Sequence, residues 1–159
     1  MEHIISVKVE NHFGVLSQIA GLLAGRGFNI DSLAVGTTLD PKVSRMTIVV
    51  NEDAQRVEQV LKQLNRLVEV IEVADLTDTK HIERELMLVK VGTVSSARSR
   101  TEIVEIANLF RAKIVDVQRD AVTVEAVGSP EKLQALLELL GIHGIREIVR
   151  TGRIGLSRG

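Results

Sequence analysis

Few of the 159 residues have the types and spacings that perform covalent chemistry. His3, His12, His81 and His143 stand at unrelated positions without ligand spacing of the H-x-x-x-H kind, and all four are expected to be solvated or edge histidines. Cysteine is absent, which excludes disulfides, thiolate metal sites and cysteine nucleophiles. Glu52, Asp53, Glu131 and Glu138 fall on the polar faces of predicted helices, so they do not suggest a general acid–base pair. Ser32, Ser44 and Ser95 have no histidine that the pattern places beside them, and a serine nucleophile is not indicated. Gly25-Arg26-Gly27 lacks the later glycine of a dinucleotide fingerprint and closes a helix instead of opening one. Gly21 and Gly25, four apart on that helix, predict close packing. These absences argue against an active site in this chain.

One stretch does carry binding chemistry: N-H-F-G-V-L-S-Q-I-A-G-L-L-A-G-R-G-F-N-I-D-S-L, residues 11–33. Ile5, Val7 and Val9 precede it on one face of a half-buried strand. From Val15 the period becomes helical, with Leu16, Ile19, Ala20 and Leu23 forming a stripe that Val15 and Leu22 widen. The chain thus runs from a strand through Gly14 into a helix N-terminus, whose first amides lack partners and whose dipole favours negative charge. Gly14 has no side chain to screen those amides from a small anion. Phe28-Asn29-Ile30 starts a second strand, which would place Asn29 near Asn11 if the two strands are neighbours. Two readings stay open on spacing alone. One is a plain strand–turn–helix with Gly14 easing the turn and Asn11 capping. The other is a site for a carboxylate or phosphate.

The positioning elements follow from periodicity. After the first helix, 29–38 predicts a strand with an irregularity near Asp31-Ser32, and Asp40-Pro41-Lys42 a turn. Met46, Ile48 and Val50 mark a third strand. A helix capped by Asn51 or Asp53 follows, with Val57, Val60, Leu61 and Leu64 as its stripe, and then a strand over 68–73. The order β-α-β-β-α-β predicts a ferredoxin-like α+β unit with an antiparallel sheet and both helices on one face. Thr77-Asp78-Thr79-Lys80 reads as a linker, after which the order repeats. A long strand lies within 82–94, and 95–99 is a small-residue loop containing Arg98. The helix that follows is marked by Ile103, Ile106, Ala107 and Phe110, and a hairpin turns at Gln118-Arg119-Asp120. Ser129-Pro130 opens a helix with Leu133, Leu136, Leu137 and Leu140 as its stripe, Gly141 stops it, and a strand over 145–150 ends the unit. The organisation expected is 1–76 for the first domain, 77–81 for a linker, 82–151 for the second domain and 152–159 for a Gly- and Arg-rich tail, mobile unless docked. Halves this small are marginal alone and leave a sheet face without helices, so a homodimer is expected.

Hydrophobic residues make up 45% and charged residues 26%, a globular balance. A net charge of −1 gives no electrostatic reason for nucleic acid or an anionic membrane surface. Trp and Tyr are absent, which disfavours a base-stacking surface. The N-terminus lacks a basic segment followed by an apolar run, and no apolar stretch nears the roughly 20 residues of a membrane span, so a cytoplasmic protein is expected.

The motif S-V-x-V-E-N-H-x-G-V-L-S-x-I-x-G-L-x-x-x-R-G-F-N-I-D-S-L, followed by S-R-M-T-I, resembles the small regulatory subunit of acetolactate synthase, also called acetohydroxyacid synthase. E-R-E-L-M-L-V-K-V, F-R-A-K-I-V-D-V and T-G-R-I-G-L-S-R-G extend the likeness over essentially the whole chain. It implies that the N-terminal half is an ACT domain, the amino-acid-sensing form of the ferredoxin-like fold. It further implies a non-catalytic partner of a large subunit that carries thiamine diphosphate, FAD and magnesium and condenses pyruvate with pyruvate or 2-oxobutyrate. This chain would hold none of those cofactors. It would raise the large subunit's activity and confer inhibition by valine in branched-chain amino acid biosynthesis. In the family, paired ACT domains bind the effector at their interface. The matching positions are Asn11, Gly14, Val15 and Leu16, with Asn29 and Ile30 opposite; His12 and Phe13 occupy variable positions. A free-standing ACT sensor of another enzyme is the alternative, sharing the first half but not the second.

Overall fold

The computed structural model describes residues 1–93 and 97–159. The chain divides into two compact units, Met1–Ile82 with Gly152–Gly159, and Glu83–Thr151.

The first unit contains β1 (Glu2–Glu10), α1 (Val15–Gly25), β2 (Ile30–Thr37), β3 (Val43–Asn51), α2 (Ala54–Asn65) and β4 (Val70–Asp75), with sheet order β2-β3-β1-β4. All three ladders are antiparallel. The expected irregularity in β2 is a register shift between Ile30 and Ser32. Ile5, Val7, Val9, Met46, Ile48 and Val50 line one sheet face and pack with Val15, Ile19 and Leu23 of α1 and Val57, Val60 and Leu64 of α2. Asp53 is the cap of α2, accepting the Arg56 amide at 2.9 Å. Gly27, at φ 76°, turns the chain after α1.

Several local expectations are corrected. Leu16 is 44% exposed, because the buried stripe of α1 runs through Val15, Ile19 and Leu23, spaced i, i+4, i+8. Gly21 and Gly25 pack against nothing, since a Cβ at either would meet no atom within 4 Å. Val68 is exposed and lies outside β4. His3 is no edge histidine: it is 3% exposed, on the core side of β1.

The second unit repeats the order with β5 (His81–Gly92), whose first two residues belong to the first unit, α3 (Ala97–Leu109), β6 (Lys113–Val117), β7 (Ala121–Gly128), α4 (Pro130–Gly141) and β8 (Ile145–Arg150). Its strands are ordered β6-β7-β5-β8, the same permutation as in the first unit. Met87, Val89, Val91, Val122 and Val124 meet Ile103 and Ala107 of α3 and Leu133, Leu136 and Leu140 of α4. Ser129 caps α4 and Pro130 opens it. Arg98 and Ser99 are helical, not part of a loop; residues 95 and 96 of the expected loop, and residue 94 at the end of the expected strand, lie outside the described residues.

The tail is docked. Strand β9 (Ile154–Ser157) lies on the side of the first sheet that has no helices, where Ile4, Val49 and Leu76 form a small separate cluster. A Cβ at Gly155 would come within 2.8 Å of Ile4 Cδ1, so only glycine lets the tail lie this close without displacing Ile4. The Gly155 amide donates to Thr47 Oγ1 at 3.3 Å.

Leu23→Ala is expected to cost about 2–5 kcal/mol, the usual range for emptying a fully buried leucine site, whereas Leu16→Ala should cost well under half as much in the monomer. Urea denaturation of the two variants side by side checks the assignment of the buried face.

Candidate functional site

The strand-to-helix turn of the first unit is built around Gly14. It is the N-cap of α1 at φ 87° and ψ −11°, a left-handed conformation that costs an L-residue about 1–2 kcal/mol. No side chain caps this helix. Gln18 makes an α-type bond to the Gly14 carbonyl at 3.0 Å, and the Val15 amide reaches the His12 carbonyl at 3.5 Å. The backbone donors of Leu16 and Ser17 therefore have no side-chain acceptor, as an anion site requires. Asn11 does not cap. Its Nδ2 donates to the Pro41 carbonyl at 2.9 Å and its backbone amide to the Lys42 carbonyl at 2.7 Å, pinning the end of β1 to the β2–β3 turn.

His12 accompanies this loop, although its variable motif position gave no reason to single it out. Its Nε2 lies 2.8 Å from Glu10 Oε2, and that hydrogen bond holds the imidazole's pKa above its ordinary value against the opposing effect of desolvation. An imidazole whose charged form is favoured by Glu10 thus stands two residues before Gly14.

The six expected residues do not converge within one chain. Asn11, Gly14, Val15 and Leu16 lie at the end of the sheet where Glu10 pairs with Val43. Asn29 and Ile30 lie at the opposite end, where Ile30 pairs with Val50. Val43 and Val50 are seven steps apart along β3, about 23 Å at the usual strand rise. The expectation that Asn11 and Asn29 are neighbours fails because β3 lies between β1 and β2, which run parallel to each other. Asn29 Nδ2 donates to Asp31 Oδ1 at 3.2 Å, and Ile30 packs against the edge of the main core.

Two other polar groupings occur in this unit. His3 Nδ1 is 3.0 Å from Asp75 Oδ2, and the Thr77 amide donates to Asp75 Oδ1 at 3.0 Å. Burial pushes the Asp75 carboxyl upward, but hydrogen bonds from the Thr77 hydroxyl and amide and from His3 outweigh it and leave the pKa below the ordinary value. A cavity of about 190 Å³ is lined by Arg26, Phe28, Arg56, Gln59, Val60 and Gln63. Its central cation is already engaged: Arg56 lies 4.8 Å above the Phe28 ring and pairs with Glu52 at 2.8 Å. Neither grouping contains any of the six expected residues. Among the described residues no three His, Cys, Asp or Glu side chains are placed to hold a metal ion, and no helix is long and apolar enough to cross a membrane.

Gly14→Ala should destabilise the first unit by about 1–2 kcal/mol through its positive φ alone, measured by urea denaturation. The same strain applies to Gly14→Asp, which the helix dipole alone would favour, so the effect of charge at this position is the difference between Gly14→Asp and Gly14→Ala. A second expectation concerns pH. The lowered pKa of Asp75 makes its contribution to stability fully present above the unfolded-state pKa of about 3.9 and lost as pH falls through the lower folded value. Asp75→Asn should flatten the acid limb of a stability profile between about pH 2 and 5; an unchanged limb would remove the carboxylate from that account.

Comparison with known proteins adds what geometry alone does not. Residues 5–72 match the family described as AHAS small subunit-like ACT domain, and residues 84–159 match that described as small subunit of acetolactate synthase. The chain is 50% identical to the acetolactate synthase small subunit of Aquifex aeolicus, over 99% of this chain and 81% of that one. It is 48% identical to the acetolactate synthase small subunit of Mycolicibacterium smegmatis, over 99% of this chain and 91% of that one. The crystal structure of the acetolactate synthase small subunit from Thermotoga maritima superposes with a TM-score of 0.88 at 37% identity, covering 100% of this chain and 98% of that one. The expected ACT-type ferredoxin-like fold is borne out, and the likeness runs through both units. This chain belongs to the acetolactate synthase small-subunit family.

Proposed function

We propose that this chain is a non-catalytic regulatory subunit of acetolactate synthase in the cytoplasm, which stimulates the large catalytic subunit and makes it sensitive to valine. Thiamine diphosphate, FAD and magnesium would reside in the large subunit, and the second unit would supply contacts that activate it. Valine would bind to a homodimer of the first unit, its carboxylate on the uncapped amides after Gly14 and its side chain against Leu16 and Ile30.

The observation that carries the dimeric reading is the outer face of α1. The helix V-L-S-Q-I-A-G-L-L-A-G holds no charged residue, yet Leu16, Gly21, Ala24 and Gly25 are exposed, and Phe13 just before it is fully so. Ser17 and Gln18 are its only polar residues, and a helix face this poor in polar and charged groups is ordinarily covered. Its counterpart α2 exposes Gln55, Glu58, Gln59 and Lys62, as a solvated face should. Strand β2 is an edge of the sheet and exposes Val35, so it leaves a ladder open.

Antiparallel pairing of two β2 edges about a two-fold axis puts the start of one strand beside the end of the other. The end of β2 lies at the same end of the sheet as Asn11 and Gly14, since Thr37 pairs with Ser44 and Glu10 with Val43. Asn29 and Ile30 of one copy then reach the end of the sheet that carries Asn11, Val15 and Leu16 of the other. Two composite sites result. The separation found within one chain is what such sites require.

The basic test is an acetolactate assay of the large subunit with and without this chain, across a valine titration. Failure to stimulate and failure to confer inhibition would sink the reading. The composite site has a sharper test. Asn11→Ala and Asn29→Ala should each weaken valine binding when alone. Mixed in equal amounts and allowed to exchange, they should restore about one quarter of the wild-type sites, because half the dimers are mixed and each carries one intact site. Equilibrium dialysis that recovers no sites on mixing would place all the contacts within one chain.

A further inference from the structure

The effector strand has a weak start. β2 is an edge strand held by one ladder, to β3, and the register shift between Ile30 and Ser32 leaves Asp31 outside that ladder. A bulge on an edge is where register is least firmly specified. Ile30 lies at the bulge and Asn29 just before it, so whatever steadies this segment also sets where those two side chains stand.

The C-terminal residues sit on this segment. The Arg153 amide donates to Ser32 Oγ at 2.7 Å. Gly152, at φ 87°, lies so close to β2 that a Cβ there would be 2.9 Å from the Leu33 carbonyl oxygen and 3.0 Å from Ser32 Oγ. The Arg153 guanidinium pairs with Glu2 at the start of β1, the Gly155 amide donates to Thr47 Oγ1 on β3, and the Arg158 amide reaches the Lys80 carbonyl at 2.8 Å. The segment therefore ties the start of β2 to β1 and β3 from the side without helices.

We propose that residues 152–157 form a positioning strap for the effector strand: seated on Ser32 and Leu33, they hold Asn29 and Ile30 where a composite effector site needs them. This inference rests on the effector reading given above. Ser32, Gly152 and Arg153 are positioning residues and touch no ligand. If releasing the strap leaves the binding-competent arrangement of β2 populated only one time in ten, apparent effector affinity falls about tenfold, since it scales with the competent fraction.

The test uses the full chain with the large subunit and compares wild type, Ser32→Ala and Gly152→Val. Val at 152 meets both the positive φ and the Leu33 carbonyl, so it lifts the strap; Ala at 32 removes only the acceptor for the Arg153 amide. Gly152→Val should raise the valine concentration for half-inhibition by about tenfold and Ser32→Ala by about threefold, with stimulation within about twofold of wild type. Amide exchange over residues 30–35 should quicken in both, while exchange in α4 stays unchanged. A general loosening in Gly152→Val leaves the decision to Ser32→Ala. An inhibition curve in Ser32→Ala identical to a responsive wild type, whatever exchange does, overturns the strap and leaves the effector reading standing. No valine response in wild type sinks the effector reading, and with it the role proposed for the strap.

Discussion

Strand β1 is buried on both faces, and the first unit is arranged around covering it. Ile5, Val7 and Val9 look toward the helices, while Ile4 and Ser6 look the other way and are as thoroughly buried. A central strand that packs on one side only would alternate between apolar and polar residues; H-I-I-S-V at the start of this one does not. Two helices close one face. The other is closed over its apolar part by β9, and the remainder is polar, with Lys8 paired to Glu72 at 3.4 Å and Arg45 donating to Ser6 Oγ at 2.9 Å. The glycine at 155 follows from this arrangement, because Ile4 and Leu76 occupy the space a side chain would need.

Much of the fold was legible because it is local. Asp53 and Ser129-Pro130 are helix starts by side-chain chemistry, and the bulge at Asp31-Ser32 breaks an otherwise alternating pattern. What was not legible depends on which strands are neighbours. Asn11 and Asn29 flank a helix and appear adjacent in sequence terms, but β3 is inserted between their strands, and nothing in the periodicity of residues 11–33 reports that. Leu16 falls into the expected core stripe because apolar type alone does not distinguish a residue facing its own sheet from one exposed on the outer surface. The burial of His3 is hidden from the sequence for a similar reason: its partners Asp75 and Thr77 are more than seventy positions away.

The candidate site was legible as chemistry but not as geometry. An uncapped helix N-terminus behind a glycine is visible in N-x-x-G-V-L, and the positive φ of Gly14 gives that glycine its physical reason. The same φ makes the site costly to alter, since a change of charge there is also a change of backbone. Selection among valine, leucine and isoleucine would rest on a methylene or so, worth only about 1–3 kcal/mol in an apolar pocket.

The chain leaves the first unit after Ile82 and re-enters it at Gly152, so that unit is discontinuous in sequence. During synthesis, Ile4, Val49 and Leu76 emerge long before the residues that cover them, and the helix-free face of the first sheet stays open while all of 83–151 is translated. Domains released one at a time normally complete themselves in order from the N-terminus. Here the second unit is available to fold first in full, and the first unit reaches its final form only after residues 152–157 have followed it out of the ribosome.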